Sequence, residues 1–389
     1  MTVQVAPPSL RFTSTLAPVA DTLTASSKSQ ASGTQKDTFE RVQAKPSREV
    51  RHLESGPLAN LLVQVRAEKN TANANPVFPS TPITQLNEFP VIQAKLHAEA
   101  SMNLQPGSKS GFIKSQIEPA KGVVLALHGW SAGTWQFEHM AQQLSNQGYH
   151  VYAPRLPGHG LMKENGEASE REFPQNHQSE IYRAYADATY EEVASMGVPV
   201  SIVGLSGGGA IGLDIAGRYP DIQSATLYDP FLSPANPAET LVNAAEFLDR
   251  FTFGLASYLL RMIPVIFTSA RTNRDDWGRD GHVDFDGGMI FGLSKYGKQA
   301  VRESKNSTVP MQIVSSEFEN MVVSRGLLRE VFESNTETRG WYHYPTEAKV
   351  PHAMIHWREF DDDKSRAHLR KLTLDFLDTQ AVSNHNIPK

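Results

Sequence analysis

Apolar positions in the middle of the chain follow two rhythms. Val123 to Leu127 is an unbroken apolar run ending in His128, Gly129 and Trp130, as a strand covered on both faces requires. Phe137, Met140, Ala141 and Leu144 then share one face of a helix that stops at Gly148. His150 to Pro154 reads as the next strand, closing in Gly158, His159 and Gly160. Beyond a polar loop, Leu161 to His177, a second helix is marked by Ile181, Ala184, Tyr185 and Ala188. Pro199 to Tyr219 compresses the pattern into one stretch: strand formers Val200, Ile202 and Val203, a glycine-rich turn, and a helix with Ile211, Ile215 and Tyr219 spaced by fours. Ala225 to Tyr228 is a further strand, ended by Asp229 and Pro230. Strands alternating with helices at this spacing predict an α/β fold, a mostly parallel sheet with helices on both faces.

The flanks are less regular. Two strands are expected around Val91 to Ala98 and Gly111 to Gln116, so the folded domain is placed at residues 86–389. Alternation stops over 231–308, where Asn236, Pro237 and Glu239 fall at N-cap, N1 and N3 of a helix containing Leu241, Ala244, Ala245 and Leu248. This stretch, with further apolar helix to Phe267, reads as a helical cap inserted between strands six and seven. The pattern resumes with a strand at Met311 to Val314, a helix near Arg325 to Glu333 and a strand at Trp341 to Tyr344. A last helix carries Leu369, Leu372, Phe376 and Leu377 on one face.

Residues 1–80, rich in Ser, Thr, Gln, Ala and Pro, bury too little apolar surface to offset ordering entropy and read as a mostly disordered extension. Within it, Val50, Leu53, Leu61, Leu62 and Val65 mark a short helix over Glu49 to Glu68, broken near Gly56 and Pro57. That helix either docks on the domain or a partner protein, or forms only transiently. Deletion to about Ser80 is expected to leave chemistry intact.

Composition narrows the function classes. A net charge of −5 without blocks of like sign argues against nucleic acid and against an anionic lipid surface. Without cysteine there are no disulfides, thiol catalysis, thiolate metal sites or cysteine-linked lipid anchors. The start MTVQVAPPSLRFTSTL lacks a basic segment followed by an apolar run, so the cytoplasm is the default location, with export by another route left open. The most apolar stretch, Phe251 to Phe267, is interrupted by Arg261 and Pro264 and is read as buried helix rather than a transmembrane segment. Asp276, Asp280, Asp284 and Asp286 fail calcium-loop spacing, since the third and twelfth positions are Gly278 and Gly287; no metal and no cofactor are expected. Asn306-Ser307-Thr308 is a glycosylation sequon only in a secretory pathway.

The chemistry centres on Ser206. Gly204, Ser206 and Gly208 fit G-x-S-x-G, a weak pattern by itself, but here it sits between a strand and a helix, where the turn demands small neighbours. No Lys-Ser/Thr follows these glycines, which disfavours a P-loop. A serine nucleophile needs a base, and a carboxylate to orient that base. In an open parallel sheet these groups gather beyond the carboxyl ends of strands. Glu317 and Glu319 follow the strand at Met311 to Val314, and His352 follows the strand at Trp341 to Tyr344.

The stretch GVVLALHGWSAGTWQFEHMAQQLSNQGYHVYAPRLPGHG, with GLSGG and the two C-terminal loops, resembles the monoacylglycerol-lipase and serine-hydrolase branch of the α/β-hydrolase superfamily over about residues 110–380. That resemblance implies an α/β-hydrolase fold and a cofactor-independent serine esterase or lipase acting on a small-molecule or lipid ester through an acyl-enzyme. It implies Ser206 as nucleophile, His352 as base, and the N–H groups of Trp130 and Gly207 as oxyanion hole. The family's acid is usually an aspartate, whereas here Glu319 stands at the matching offset. Asp229 and Glu317 are the alternative acids, and His356 is the rival base. His128 is read as holding the oxyanion loop and His159 as part of the strand-closing turn, while His343 and His356 flank the expected catalytic loop. Trp130, Trp135 and the insertion suggest a cap, with Phe247, Phe251, Phe253, Leu259 and Met262 lining an acyl pocket or forming the cap's own core. The same triad would serve a thioester, amide or carbon–carbon bond. A binding protein on an inactive hydrolase fold is the reading from another class.

Overall fold

The computed structural model describes residues 57–70, 77–105, 107–166, 169, 172–175, 178–235, 238–252, 264–265, 285–318, 323–335, 338–356 and 358–385. Its centre is a seven-stranded sheet. The strands are β1 (Gly111–Ile113), β2 (Gly122–Leu127), β3 (Tyr149–Ala153), β4 (Val200–Leu205), β5 (Ser224–Tyr228), β8 (Met311–Ser316) and β9 (Thr338–Tyr344). Two short antiparallel strands, β6 (Pro264–Val265) and β7 (Phe285–Asp286), lie outside it. The order across the sheet is β1-β3-β2-β4-β5-β8-β9. β1 runs antiparallel to β3, and every other pairing is parallel.

The unbroken apolar runs are explained by a core on each face. Val123, Leu125 and Leu127 of β2 point into one cluster with Ile202, Ile211 and Tyr296, while Val124 and Ala126 join Met140, Leu144, Val203 and Leu369 on the other. The first face is covered by α2 (Pro90–Ala100), α4 (Ser179–Ala194), α5 (Gly207–Arg218), α7 (Gly287–Ser304) and α8 (Arg325–Ser334). The second is covered by α3 (Glu138–Asn146) and α9 (Asp363–His385). Each fully buried Val or Leu contributes roughly 1.5–3 kcal/mol, so alternating inward positions on both faces bind the layers together.

Two expectations are corrected. The stretch Val91 to Ala98 is not a strand but part of α2, in which Ile92, Leu96 and Glu99 are buried. Those positions follow helical spacing, and a short apolar run does not separate the two periods by itself. The loss of that strand makes β5 the fifth strand of the main sheet, with the insertion following it. Within the insertion, α7 buries Leu293, Tyr296, Ala300 and Val301 in the main core, and is a layer helix rather than cap. Outside the layers stands α6 (Ala238–Thr252), which buries Val242 and Ala245 against Phe291 and leaves Phe247 and Phe251 exposed. Phe253, Leu259, Met262, Asp276, Asp280 and Asp284 lie outside the described residues, as do Asn236 and Pro237 of the expected cap signal.

Of the helix expected over Glu49 to Glu68, the part beyond Gly56 is present as α1 (Pro57–Asn70); residues 1–56 lie outside the described residues. α1 buries Val65 completely. Glu68 accepts hydrogen bonds from two buried guanidinium groups of α9, at 2.9 Å from Arg366 Nη1 and 2.8 Å from Arg370 Nη2. No helix among the described residues is long and apolar enough to cross a membrane.

Candidate active site

The site is built at the carboxyl ends of β2, β4, β5 and β9. Ser206 stands between β4 and α5 with φ 53° and ψ −116°, a left-handed conformation that costs a non-glycine residue on the order of 1–3 kcal/mol. Its backbone holds that turn through bonds to its neighbours: Ser206 N–H donates to Tyr228 O at 2.9 Å, and Ser206 O accepts from Phe231 N–H at 2.9 Å. The flanking glycines are required by contact. A Cβ on Gly204 would lie 2.7 Å from Gly208 O, and one on Gly208 would lie 2.2 Å from Leu127 O. The turn expected from the G-x-S-x-G spacing is therefore present in this geometry.

Strand pairing puts Asp229 beside this turn. Leu205 pairs with Tyr228 in parallel register, so Ser206 and Asp229 each leave the sheet one residue after paired neighbours. Asp229 also has positive φ, at 38°, as does Ser131 at 73° next to Trp130. Asp229 Oδ1 accepts from Ser316 N–H at 3.1 Å, and Oδ2 lies 3.6 Å from His352 Nδ1. That separation is longer than a hydrogen bond but within ion-pair reach. The carboxylate is almost wholly buried, a setting that requires compensating partners. The other ring nitrogen, His352 Nε2, is buried and makes no hydrogen bond among the described residues.

The remaining candidates are separated by their partners. Glu319 lies outside the described residues. Glu317 is committed elsewhere: its carboxylate accepts from His343 Nε2 at 3.1 Å and Thr346 N–H at 3.2 Å, and pairs with Arg325 at 3.2 Å. The His343 bond, chiefly, holds its carboxyl below the usual carboxylate range. His343 Nδ1 shares a 2.8 Å hydrogen bond with Ser315 Oγ. His356 is fully enclosed, its ring stacked on His139 at 5.4 Å and edge-on to Trp135 at 5.0 Å. Burial pushes its imidazole well below the ordinary histidine range.

Two histidines hold the loop after β2. His128 Nδ1–H donates to Gly129 O at 2.9 Å, and its Nε2 accepts from Leu156 N–H at 3.2 Å. His159 Nε2 accepts from Ser131 N–H at 3.0 Å, while Nδ1–H donates to Pro157 O at 3.0 Å. The two glycine-histidine motifs are thereby fastened to each other. Gly129 N–H donates to Gln136 Oε1 at 2.7 Å, and Gln136 Nε2 reaches both oxygens of Glu359, at 2.9 and 2.8 Å. Sequence reasoning missed Gln136 and Glu359, because no local motif links two residues so far apart in the chain. A Cβ on Gly207 would lie 3.3 Å from Trp130 N, so the backbone nitrogens expected as oxyanion donors are close neighbours. Trp130 packs edge-on to Phe173 at 5.5 Å, in a cluster with Met289.

One group of side chains has metal-ligand character. Glu138, His139 and His356 offer donor atoms within 4.8 Å of one another. Burial raises the Glu138 carboxyl to about 7 and lowers His139 to about 4. However, His356 Nδ1 accepts from Arg358 N–H at 3.2 Å, which leaves the neutral ring's proton on Nε2, the nitrogen that faces Glu138. Arg358, Arg366 and Arg370 add positive potential at the rings. Both features oppose a cation there.

A mostly parallel sheet with helices on both faces, and a serine at positive φ in a strand-to-helix turn, are features of an α/β-hydrolase. The family described as Serine aminopeptidase, S33 matches residues 118–348, more than half of the chain, and the chain belongs to that family of hydrolases. Among solved structures, a soluble variant of monoglyceride lipase from Saccharomyces cerevisiae, in complex with a substrate analog, has TM-score 0.51 and 14% identity, covering 70% of this chain and 91% of that one. The monoacylglycerol lipase of Paleococcus ferrophilus has TM-score 0.49 and 16% identity, covering 72% and 100%. A highly thermostable carboxyl esterase from Bacillus coagulans, in complex with glycerol, has TM-score 0.49 and 13% identity, covering 70% and 94%. At 14% identity the likeness to the monoglyceride lipase is one of fold alone. No curated protein matches the chain in sequence.

Proposed function

We propose that this chain is a serine hydrolase that cleaves carboxylic esters through an acyl-enzyme, with Ser206 as nucleophile, His352 as base and Asp229 as acid. The observation that carries the reading is the approach of Asp229 Oδ2 to His352 Nδ1 at 3.6 Å, beside a serine held at positive φ. In this scheme His352 Nε2 takes the Ser206 proton as Oγ attacks the ester carbonyl. Asp229 holds the Nδ1–H tautomer and stabilises the imidazolium. Negative charge on the tetrahedral oxygen is met by the N–H groups of Trp130 and Gly207. Gly207 opens α5, so its N–H has no acceptor within the helix. Collapse expels the alcohol, protonated by His352, and water releases the acid by the same route in reverse. Trp130, Phe173 and Met289 supply an apolar wall, which supports an acyl chain as the substrate's acid part.

The test is hydrolysis of p-nitrophenyl esters beside matched amides and thioesters, with fluorophosphonate labelling as a second readout. Ser206→Ala is expected to abolish both. Asp229→Asn is expected to lower kcat by on the order of 10⁴-fold, as removal of a tautomer-holding carboxylate does, whereas Glu319→Gln changes it little. The reverse ranking moves the acid to Glu319. Preference for the amide among matched substrates refutes the ester assignment.

A further inference from the structure

The peptide that carries one expected oxyanion donor is anchored on both sides. In a trans peptide N–H and C=O point in opposite directions, so holding the Gly129 carbonyl aims the Trp130 N–H. That carbonyl accepts from His128 Nδ1–H at 2.9 Å and from Ala132 N–H at 3.2 Å. The preceding peptide is held by a longer-range link. Gly129 N–H donates to Gln136 Oε1, and the Gln136 amide donates to the Glu359 carboxylate. Gln136 and Glu359 are 3% and 8% exposed, so water does not readily replace either bond. Glu359 lies on the segment that carries His352, and its N–H donates to His356 O at 3.0 Å.

We propose that Gln136 and Glu359 are a positioning pair that sets the oxyanion loop in register with the loop bearing His352. The proposal rests on the serine-hydrolase reading. The carboxylate polarises the Gln136 amide and strengthens its carbonyl as an acceptor for Gly129 N–H, since hydrogen bonds in a chain reinforce one another. The amide orientation is dictated by its neighbours: an oxygen must face Gly129 N–H and an NH₂ must face Glu359. Either loop alone would tolerate a shift. The bridge makes the donor of one loop and the base of the other a single geometry, and a misplacement near 1 Å costs on the order of 100-fold in rate.

The experiment is a charge-swap cycle on p-nitrophenyl ester turnover in the full chain, with melting temperature and fluorophosphonate labelling rate measured for each variant. Gln136→Leu is expected to lower kcat by about 10–100-fold, with KM within about threefold and the labelling rate falling in step with kcat. Gln136→Glu alone places two carboxylates in contact and loses at least as much. Combined with Glu359→Gln, it recreates an acceptor toward Gly129 and a donor–acceptor pair across the bridge. The double variant is expected to recover kcat to within about threefold of the parent. Glu359→Gln alone, which keeps an acceptor for the Gln136 amide, stays within about threefold, whereas Glu359→Leu loses about tenfold. A folded Gln136→Leu with unchanged kcat, or a double variant no better than Gln136→Glu, overturns the proposal. Turnover that survives Ser206→Ala, or no turnover at all, instead refutes the serine-hydrolase reading and takes this pair's role with it.

Discussion

Glu68 offers a sharp test of what the N-terminal helix does. Its carboxylate lies 7% exposed against guanidinium groups of Arg366 and Arg370 that are 0% and 2% exposed. Arg366 keeps a second partner, Asp363 Oδ1 at 2.6 Å, so the greater loss on removing Glu68 falls on Arg370. Breaking a buried ion pair from one side typically costs 3–5 kcal/mol, because the remaining charge stays buried without its counter-charge. With one of the two arginines still partnered, Glu68→Gln is expected at the lower end, about 3 kcal/mol. At roughly 2 °C per kcal/mol for a domain of this size, the melting temperature falls by about 6 °C. Removing residues 1–76 adds the burial of Val65, about 1.5–3 kcal/mol. The expectation that deletion to about Ser80 leaves the chemistry intact therefore holds only while the truncated chain remains folded. Thermal and urea unfolding of the full chain, Glu68→Gln, and Glu68→Met paired with Arg370→Met measure this. The paired variant should recover most of the loss, since well-packed apolar replacements of a buried pair are often neutral or stabilising. A Glu68→Gln melting temperature within 1–2 °C of the parent refutes the reasoning.

Two further predictions concern packing and pH. Gly208→Ala is expected to destabilise by more than about 2 kcal/mol in urea unfolding, because its Cβ would meet the main-chain oxygens of Leu127 and His128 at 2.2 and 2.4 Å. The Glu138 carboxyl, raised to about 7 by burial, favours the folded state below its unfolded value of 4.5, and that contribution is lost as pH rises through about 7. His139, lowered to about 4 by burial, acts in the opposite sense: its contribution is complete above 6.5 and is lost as pH falls through about 4. Glu138→Gln removes the first effect. Its melting temperature should therefore fall more steeply than the parent's between pH 6.5 and 4.5, and parallel profiles would show the assignment to be wrong.

The parts legible in the chain by itself are those with local causes. Val123 to Leu127 and Pro199 to Leu205 announce buried strands because both faces of a parallel sheet must be apolar. The small residues around Ser206 announce a turn in which a Cβ would strike Leu127 or Gly208. Helical positions such as Ile211 and Ile215 are set by a period that no partner needs to supply. Tertiary structure decided what depends on meeting a distant segment. Asp229 reads in sequence as an alternative acid or as a turn residue before proline; only the placing of β5 in the sheet, and of the loop after β9 over its end, brings its carboxylate to His352. Val91 to Ala98 is short enough to suit either period, and its packing beside α4 on the sheet made it helix. Gly287 to Ser304 became a layer helix because Tyr296 and Leu293 found the main core. The bonds from Glu68 to α9 and from Gln136 to Glu359 join residues hundreds of positions apart. Sequence spacing records neighbours along the chain, whereas a buried charge or a strained loop is compensated by whatever the fold packs beside it.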